Sequence, residues 1–176
     1  MKILLICGRL SDRAALEGAA EALRREGLEA EVFSPIKTEN LVCSGCGACK
    51  GAGMCVYDPR GQDFVRAAVG CDAFLFAAPA GLFGLDVDMK NFLERVAALT
   101  LRREVNPLAG KPAAAVILCR RGGRAADQMT ALLRQLGLRL PAGEKPPVLR
   151  SEDPDLPQAL CAVAAGLTDT LRREEQ

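Results

Sequence analysis

Four closely spaced cysteines are the residues of this chain with the clearest capacity for chemistry. Cys43, Cys46, Cys49 and Cys55 lie within thirteen residues, separated by two, two and five residues. Thiolates at this spacing can converge on one compact inorganic cluster, and the pattern is typical of [4Fe–4S] ligation. The glycines between them let the segment turn tightly, because glycine carries no Cβ. The segment therefore predicts a metal site with these four cysteines as ligands.

Two other interpretations of the segment stay open. One is a structural zinc site, although zinc sites usually pair two Cys-x2-Cys units across a longer spacer. The other is a redox dithiol, or a cysteine-rich loop without metal. The remaining cysteines each sit in an apolar run, where a free thiol behaves as a small hydrophobe, and we expect them in the core: Cys7, Cys71, Cys119 and Cys161.

Composition excludes several classes of protein. The 176 residues suit one α/β domain that buries a continuous core without disulfides. With 23 basic and 22 acidic residues the net charge is +1, so we expect no nucleic acid and no membrane as partner. The chain has no histidine, which excludes a Ser-His-Asp triad, an HExxH zinc protease and a His-ligated haem. Redox chemistry would therefore belong to a cofactor.

The apolar segments also bear on location. Residues 2–7 read as a buried strand without the pattern of a secretory leader before them. The longest apolar stretch, residues 73–85, is interrupted by Pro79 and two glycines, and it falls short of the roughly 20 residues that a spanning helix needs. We therefore expect a cytoplasmic protein with reduced thiols and no membrane span.

Alternating strand and helix patterns predict a three-layer, doubly wound parallel sheet of five strands. Predicted strands cover residues 2–7, 30–33, 73–78 and 113–119, with a weak last strand near Val148. The first predicted helix contains Leu16 and Leu23, with Ser11 or Asp12 as N-cap and Gly27 as C-cap. Four further predicted helices cover residues 63–69, 87–99, 125–136 and 156–171. Residues 1–176 thus form a single domain with an inserted cysteine loop at 41–58.

The loops at the carboxyl ends of the strands should meet at one edge of this sheet. Ligands of such sheets bind there, at the topological switch point. Three loops qualify, and they are residues 8–12, 79–85 and 120–124. The cysteine loop follows the second strand at the same edge, so we expect a metal site next to a ligand crevice.

These residues resemble the flavodoxin-like NAD(P)H-dependent FMN reductases, and within them the iron–sulfur flavoproteins, over about residues 1–136. The cysteine run followed by Asp58 matches the compact motif of the iron–sulfur branch. Residues 77–96 look like the family's Ser-Pro-x-Tyr-aromatic-Gly and Lys-x-Phe-x-Asp-Arg stretch, with four positions in place: Pro79, Lys90, Phe92 and Arg95.

The resemblance implies an FMN-dependent NAD(P)H oxidoreductase that passes electrons between FMN and a [4Fe–4S] cluster. It implies a redox partner such as ferredoxin or NAD(P)H, a homodimer or homotetramer, and no catalytic side chain beyond the cofactors. The implied FMN-binding residues fall in the three loops: Arg9, Ser11 and Arg13 in the first, Pro79, Ala80, Gly81, Leu82 and Phe83 in the second, and Arg121, Gly122 and Gly123 in the third.

The chain departs from the family in these loops. The first loop lacks the Pro, Gly, Asn and Thr of the family's phosphate-binding pattern and carries Asp12, so we expect FMN to bind weakly or not at all. Gly81 replaces the aromatic residue that stacks on flavin, leaving Leu82 and Phe83 to cover a ring. The sequence thus favours an iron–sulfur flavoprotein-like redox protein. The alternative is a flavin-free flavodoxin-fold protein that carries only a [4Fe–4S] or zinc site, as an electron-transfer or interaction module.

Overall fold

A computed structural model describes residues 1–35, 43–101, 104–120, 123–141 and 145–174. Its six strands, in chain order, are β1 Lys2–Cys7, β2 Glu29–Phe33, β3 Ala73–Gly81, β4 Gly84–Leu85, β5 Ala113–Leu118 and β6 Val148–Leu149. Five of them form a parallel sheet in the order β2-β1-β3-β5-β6, which confirms the predicted architecture. The remaining strand, β4, pairs antiparallel with the end of β3.

Helices cover both faces of this sheet. They are α1 Arg13–Arg25, α2 Cys49–Ala52, α3 Arg60–Val69, α4 Val87–Thr100, α5 Gly123–Gln135 and α6 Leu156–Glu174, and a 3-10 turn, Leu10–Asp12, precedes α1. Apolar side chains of α1 and α6 pack on one face of the sheet, and those of α3, α4 and α5 pack on the other. In the part of the chain that the structure describes, no helix has the length and apolarity needed to cross a bilayer.

Several boundaries differ from the sequence-based expectation. Strand β3 runs three residues beyond the predicted end, so Pro79 lies in a strand and the second loop is the tip of a β3–β4 hairpin. Neither predicted N-cap side chain caps α1, because Ser11 belongs to the 3-10 turn and Asp12 makes no capping hydrogen bond. Of the cysteines expected in the core, Cys7 and Cys71 are buried, whereas Cys119 and Cys161 are only partly buried.

An aromatic cluster fixes α3 and α4 on the sheet. Phe64 of α3 is fully buried and meets the ring of Phe92 of α4 edge-on, with centroids 5.4 Å apart. It also contacts Phe33 at the end of β2, at 5.6 Å. Tilted and edge-to-face pairs add stabilisation beyond their area burial. The cysteine segment lies between β2 and α3, so this cluster fixes the elements at both of its ends.

Lys111 closes the carboxyl end of α3. Its Nζ donates hydrogen bonds to the carbonyl oxygens of Ala68, Val69 and Cys71 at 2.8, 3.1 and 2.8 Å. The last carbonyls of a helix have no partner within the helix, and a cation there also complements the helix dipole. The side chain thereby ties the end of α3 to the start of β5.

We predict that Lys111→Met lowers the free energy of unfolding by about 2 kcal/mol, because hydrogen bonds from a charged donor are lost while the aliphatic stem is kept. Urea denaturation followed by circular dichroism measures this. The matched control is Lys145→Met, since Lys145 is an exposed lysine whose ion pair with Asp127 should contribute less than about 0.5 kcal/mol. Equal losses in the two variants would contradict the prediction.

Candidate cofactor sites

All four cysteines of the motif line one concavity of about 140 Å³ against α4. Cys43 and Cys46 are exposed, and Cys49 and Cys55 are partly buried. The wall opposite the cysteines is formed by α4, through Arg95, Ala98 and Leu99. We call this concavity the cysteine hollow. The structure thus brings the four predicted ligands to one place.

Local backbone geometry explains how so short a segment folds back on itself. Gly45, Gly47 and Gly53 have φ angles of 68°, 74° and 64°, in the left-handed region that favours glycine. Between residues 43 and 58 the structure shows one helical turn, α2, and its first residue, Cys49, packs against the core. The glycines therefore direct the chain so that successive cysteines face the same hollow.

The chemistry of the donors fits a thiolate-bound metal group. Four soft sulfur ligands suit zinc or an iron–sulfur cluster. Among the described residues, no three Cys, Asp or Glu side chains already stand in the arrangement that holds a single metal ion. The hollow also contains Lys50, whose charge complements thiolates.

A buried ion cluster holds the end of the cysteine segment against the domain. Asp58 is 2% exposed, and its Oδ1 accepts hydrogen bonds from the backbone N–H and Nε of Arg60 at 3.0 and 2.7 Å. Its Oδ2 accepts a hydrogen bond from the Nη1 of Arg95 at 2.5 Å. Arg60 also donates to the carbonyl oxygen of Pro35, just before the segment. We call Asp58, Arg60 and Arg95 the Asp58 cluster.

The Asp58 carboxyl stays ionised in this cluster. Burial alone would raise the pKa of Asp58, but hydrogen bonds from Arg60 and the charges of Arg95 and Arg60 outweigh it and hold that pKa below its usual value. Asp58 was singled out by the family resemblance, whereas Arg60 was not. The sequence Asp58-Pro59-Arg60 could have indicated it, because Asp followed by Pro commonly starts a helix. Such a start places Arg60 in the first turn, close to the Asp58 carboxylate.

Two of the three predicted flavin loops meet closely. The N–H of Gly8 donates to the carbonyl oxygen of Ala77 at 3.0 Å. A Cβ on Gly8 would lie 2.3 Å from Cδ of Pro79 and 2.5 Å from Cε of Met89, so only glycine fits. Hence the first loop packs directly on β3, where Pro79 is buried.

The β3–β4 hairpin is held by a residue that the sequence did not indicate. The N–H of Leu85 donates to Oε1 of Gln128 in α5 at 2.8 Å, and Gly84, with φ of 135°, lies against the same side chain. Leu82 and Phe83 at the tip are 90% and 87% exposed. Their role in covering a flavin ring stays a prediction. Ala80 and Gly81 lead into this tip, partly buried and exposed respectively.

The first and third loops supply fewer phosphate ligands than the family resemblance implies. Arg9, Ser11 and Arg13 are exposed, but Arg13 donates to Glu17 at 3.0 Å. In the third loop, Gly123 begins α5, while Arg121 and Gly122 lie outside the described residues. The same loop carries Asp12, which is buried and forms no ion pair among the described residues, beside the exposed guanidinium groups of Arg9 and Arg13.

The two candidate sites lie towards opposite ends of α4. The hairpin directly precedes Val87, whereas the cysteine hollow borders Ala98 and Leu99. At a rise of 1.5 Å per residue, these positions are about 17 Å apart along the helix axis. That the metal site adjoins the ligand crevice stays a prediction.

The fold and the meeting of loops at the carboxyl edge of the sheet define a flavodoxin-like protein. Residues 1–144 match the sequence profile of the NADPH-dependent FMN reductases, and the chain belongs to this family. This match confirms the predicted family and fold.

Individual relatives are distant. The chain is 28% identical over 81 residues to an iron–sulfur flavoprotein of Archaeoglobus fulgidus, a match that covers 46% of this chain and only 37% of that protein. Among solved structures, RosB with bound 8-demethyl-8-formylriboflavin-5'-phosphate superposes with a TM-score of 0.66 at 16% identity, covering 98% of this chain and 81% of that one. Oxidised flavodoxin 1 from Bacillus cereus gives 0.61 at 14% identity, covering 96% and 98%. These structures support the fold.

We predict that Asp58→Asn lowers the free energy of unfolding by about 3–5 kcal/mol, because it breaks the buried ion pairs of this carboxylate with Arg60 and Arg95. The control is Asp63→Asn, which removes a carboxylate from an exposed pair with Arg66 and should cost less than about 1 kcal/mol. Denaturant titration compares the two, and a small loss at Asp58 would rule out a structural role for the cluster.

Acid should remove the difference between wild type and Asp58→Asn. Because the folded state lowers the pKa of Asp58, its stabilisation is present above the unfolded pKa of about 3.9 and is lost as pH falls through the folded value. The difference in stability should therefore begin to shrink only as the pH falls below about 4, and the two proteins should match once the pH is below the folded pKa of Asp58. A constant difference down to the acid limit would contradict this assignment.

Proposed function

We propose that the protein is an iron–sulfur flavoprotein-like oxidoreductase that transfers electrons between a [4Fe–4S] cluster, a flavin and an acceptor, with NAD(P)H or ferredoxin as redox partner. One observation carries the proposal, namely that the four cysteines of an iron–sulfur spacing line a single hollow in a member of the FMN reductase family. The name of the distant Archaeoglobus relative supports the same assignment.

The residues around the hollow suit such a group. Cys43, Cys46, Cys49 and Cys55 would hold the cluster, which supplies one-electron transfer when bound, while the flavin supplies two-electron exchange. The guanidinium of Arg95, 5% exposed, lines the hollow and complements the negative charge of a thiolate cluster. Ala98 and Leu99 form an apolar wall that keeps water away from one side.

The alternative is a flavin-free protein that displays only a [4Fe–4S] or zinc site, as an electron-transfer or interaction module. The observation that favours it is the buried Asp12 in the first loop, where the family binds a phosphate. An absorption spectrum of anaerobically purified protein separates the cases, since flavin and iron–sulfur cluster absorb at different wavelengths and zinc does not absorb in the visible.

We predict that Cys46→Ser strips iron from the protein and bleaches absorption near about 400 nm, because one thiolate ligand of the cluster is lost. Iron is measured by elemental analysis of the folded protein. The control is Cys161→Ser on α6, a partly buried cysteine outside the hollow, which should keep the iron. If single substitutions of all four motif cysteines left iron content unchanged, the metal assignment would be wrong.

We also propose that the protein is a homodimer or homotetramer that pairs through the hairpin and the first turn of α4. Phe83, Leu82 and Val87 are 87%, 90% and 63% exposed and form an apolar surface around one helix end. Exposed apolar groups of this kind mark interaction sites when they cluster. Closed twofold symmetry is the common arrangement for identical chains.

Phe83→Asp should convert the assembly to monomer, because it places a charge in an apolar contact. Sedimentation equilibrium at low micromolar concentration measures the mass. Val105→Asp is the control, as Val105 is similarly exposed, at 79%, but follows the far end of α4. A wild-type monomer with its cluster intact would refute the oligomer.

A further inference from the structure

Arg95 is a buried cation on the wall of the cysteine hollow. It lines the hollow from α4, and its side chain is only 6% exposed. Its Nη1 donates to Oδ2 of Asp58 at 2.5 Å, which fixes the guanidinium. On the other side, α3 packs so closely that a Cβ on Gly61 would lie 3.0 Å from Cγ of Arg95. The positive charge of Arg95 is therefore held at one place beside the cysteines, where little water reaches it.

The charged side chains that line the hollow have one sign. Among the described lining residues, Lys50 and Arg95 are cations, and none is an Asp or a Glu. Lys50 is exposed, so salt and water screen its charge, whereas a buried charge is screened much less. Arginine also stays protonated at any ordinary pH. Arg95 is thus the more persistent electrostatic influence on a group bound in the hollow.

Asp58 sets how much of this charge is compensated. Its carboxylate is shared between Arg95 and Arg60, so one negative charge meets two positive ones. Asp88 of α4 also attracts Arg60. Removing the charge of Asp58 would leave the positive charge of Arg95 to act on the hollow undiminished. Removing the charge of Arg95 would have the opposite effect, because the carboxylate would remain.

We propose that Arg95 raises the reduction potential of the iron–sulfur cluster held in the cysteine hollow, and that Asp58 limits this rise. The inference rests on the proposed function, because it requires a redox-active group on the four cysteines. One-electron reduction, with the electron supplied by the redox partner, adds one negative charge in the hollow. A nearby positive charge stabilises that reduced form. Asp58 is a positioning residue, since it acts through Arg95.

Potentiometric titration of the anaerobically purified full chain with dithionite, followed by visible absorption, tests the proposal. Arg95→Gln should shift the reduction equilibrium at least about tenfold towards the oxidised form, which lowers the potential by about 59 mV for a one-electron couple. Asp58→Asn should shift the equilibrium roughly threefold or more in the opposite direction. Arg95→Lys keeps the charge and should stay within about twofold of the wild type.

Two controls separate the charge of Arg95 from other effects. Arg66→Gln removes a 69% exposed cation of α3 that does not line the hollow, and it should leave the potential unchanged. Lys50→Gln should lower the potential at low salt, and most of this change should vanish in about 1 M salt. The change caused by Arg95→Gln should persist there, because the charge it removes is buried.

A further pair of variants remains decisive if the substitutions at Arg95 and Asp58 do not fold. Ala98 lines the hollow three residues after Arg95 and is only partly buried. Ala98→Glu places a negative charge on the same wall, next to Arg95 on the helix surface. It should shift the reduction equilibrium at least about threefold towards the oxidised form relative to Ala98→Gln. Equal potentials in these two variants would overturn the proposal.

The outcomes separate this inference from the proposed function. Iron bound with an unchanged potential in Arg95→Gln and Asp58→Asn, or with both potentials shifted in the same direction, overturns the electrostatic role. The assignment of the cluster then still stands. If the purified protein holds zinc or no metal, and reconstitution with iron and sulfide fails, both the inference and the iron–sulfur part of the proposed function fall.

Discussion

The candidate metal site depends on one buried carboxylate. In its described part, residues 43–58, the cysteine segment contains one helical turn, and two of its sulfurs are exposed, so this part buries little apolar surface of its own. Asp58 ends this segment inside the domain, between the guanidinium groups of Arg60 on α3 and Arg95 on α4. Separating these charges would break ion pairs in a place with little water, which is costly. The hollow therefore exists because the three side chains must stay together.

Helix α4 connects this site to the flavin loops. Near its start, Met89 is fully buried and fills the space beside Gly8, and near its end Arg95 and Leu99 border the cysteine hollow. The aromatic contact of Phe92 with Phe64 lies between them and fixes the helix on the sheet. A shift of α4 would therefore displace side chains at both sites. The distance between the sites is set by the length of this one helix.

What the sequence could predict follows from how local each interaction is. Strand β1 was predicted over its full length, because its apolar run is buried on both faces. The β3–β4 hairpin was not predicted, because it depends on Gln128, 43 residues away from Leu85. In the metal site, spacing alone indicated that the cysteines converge. That Ala98 and Leu99 form the opposite wall depends on tertiary packing, which no local pattern shows.

The two buried carboxylates of the molecule have opposite electrostatic consequences. Asp58 is matched by two arginines, so its charge is compensated and stabilises the fold. Asp12 is also buried but forms no ion pair among the described residues, and its Oδ2 has no hydrogen-bond partner there. The cysteine hollow carries Arg95 and Lys50 and thereby suits an anionic thiolate cluster, whereas the first loop combines the buried Asp12 with the exposed Arg9 and Arg13. A single fold can hold both because the cysteine hollow and the first loop lie towards different ends of α4, where Leu99 and Met89 respectively border them.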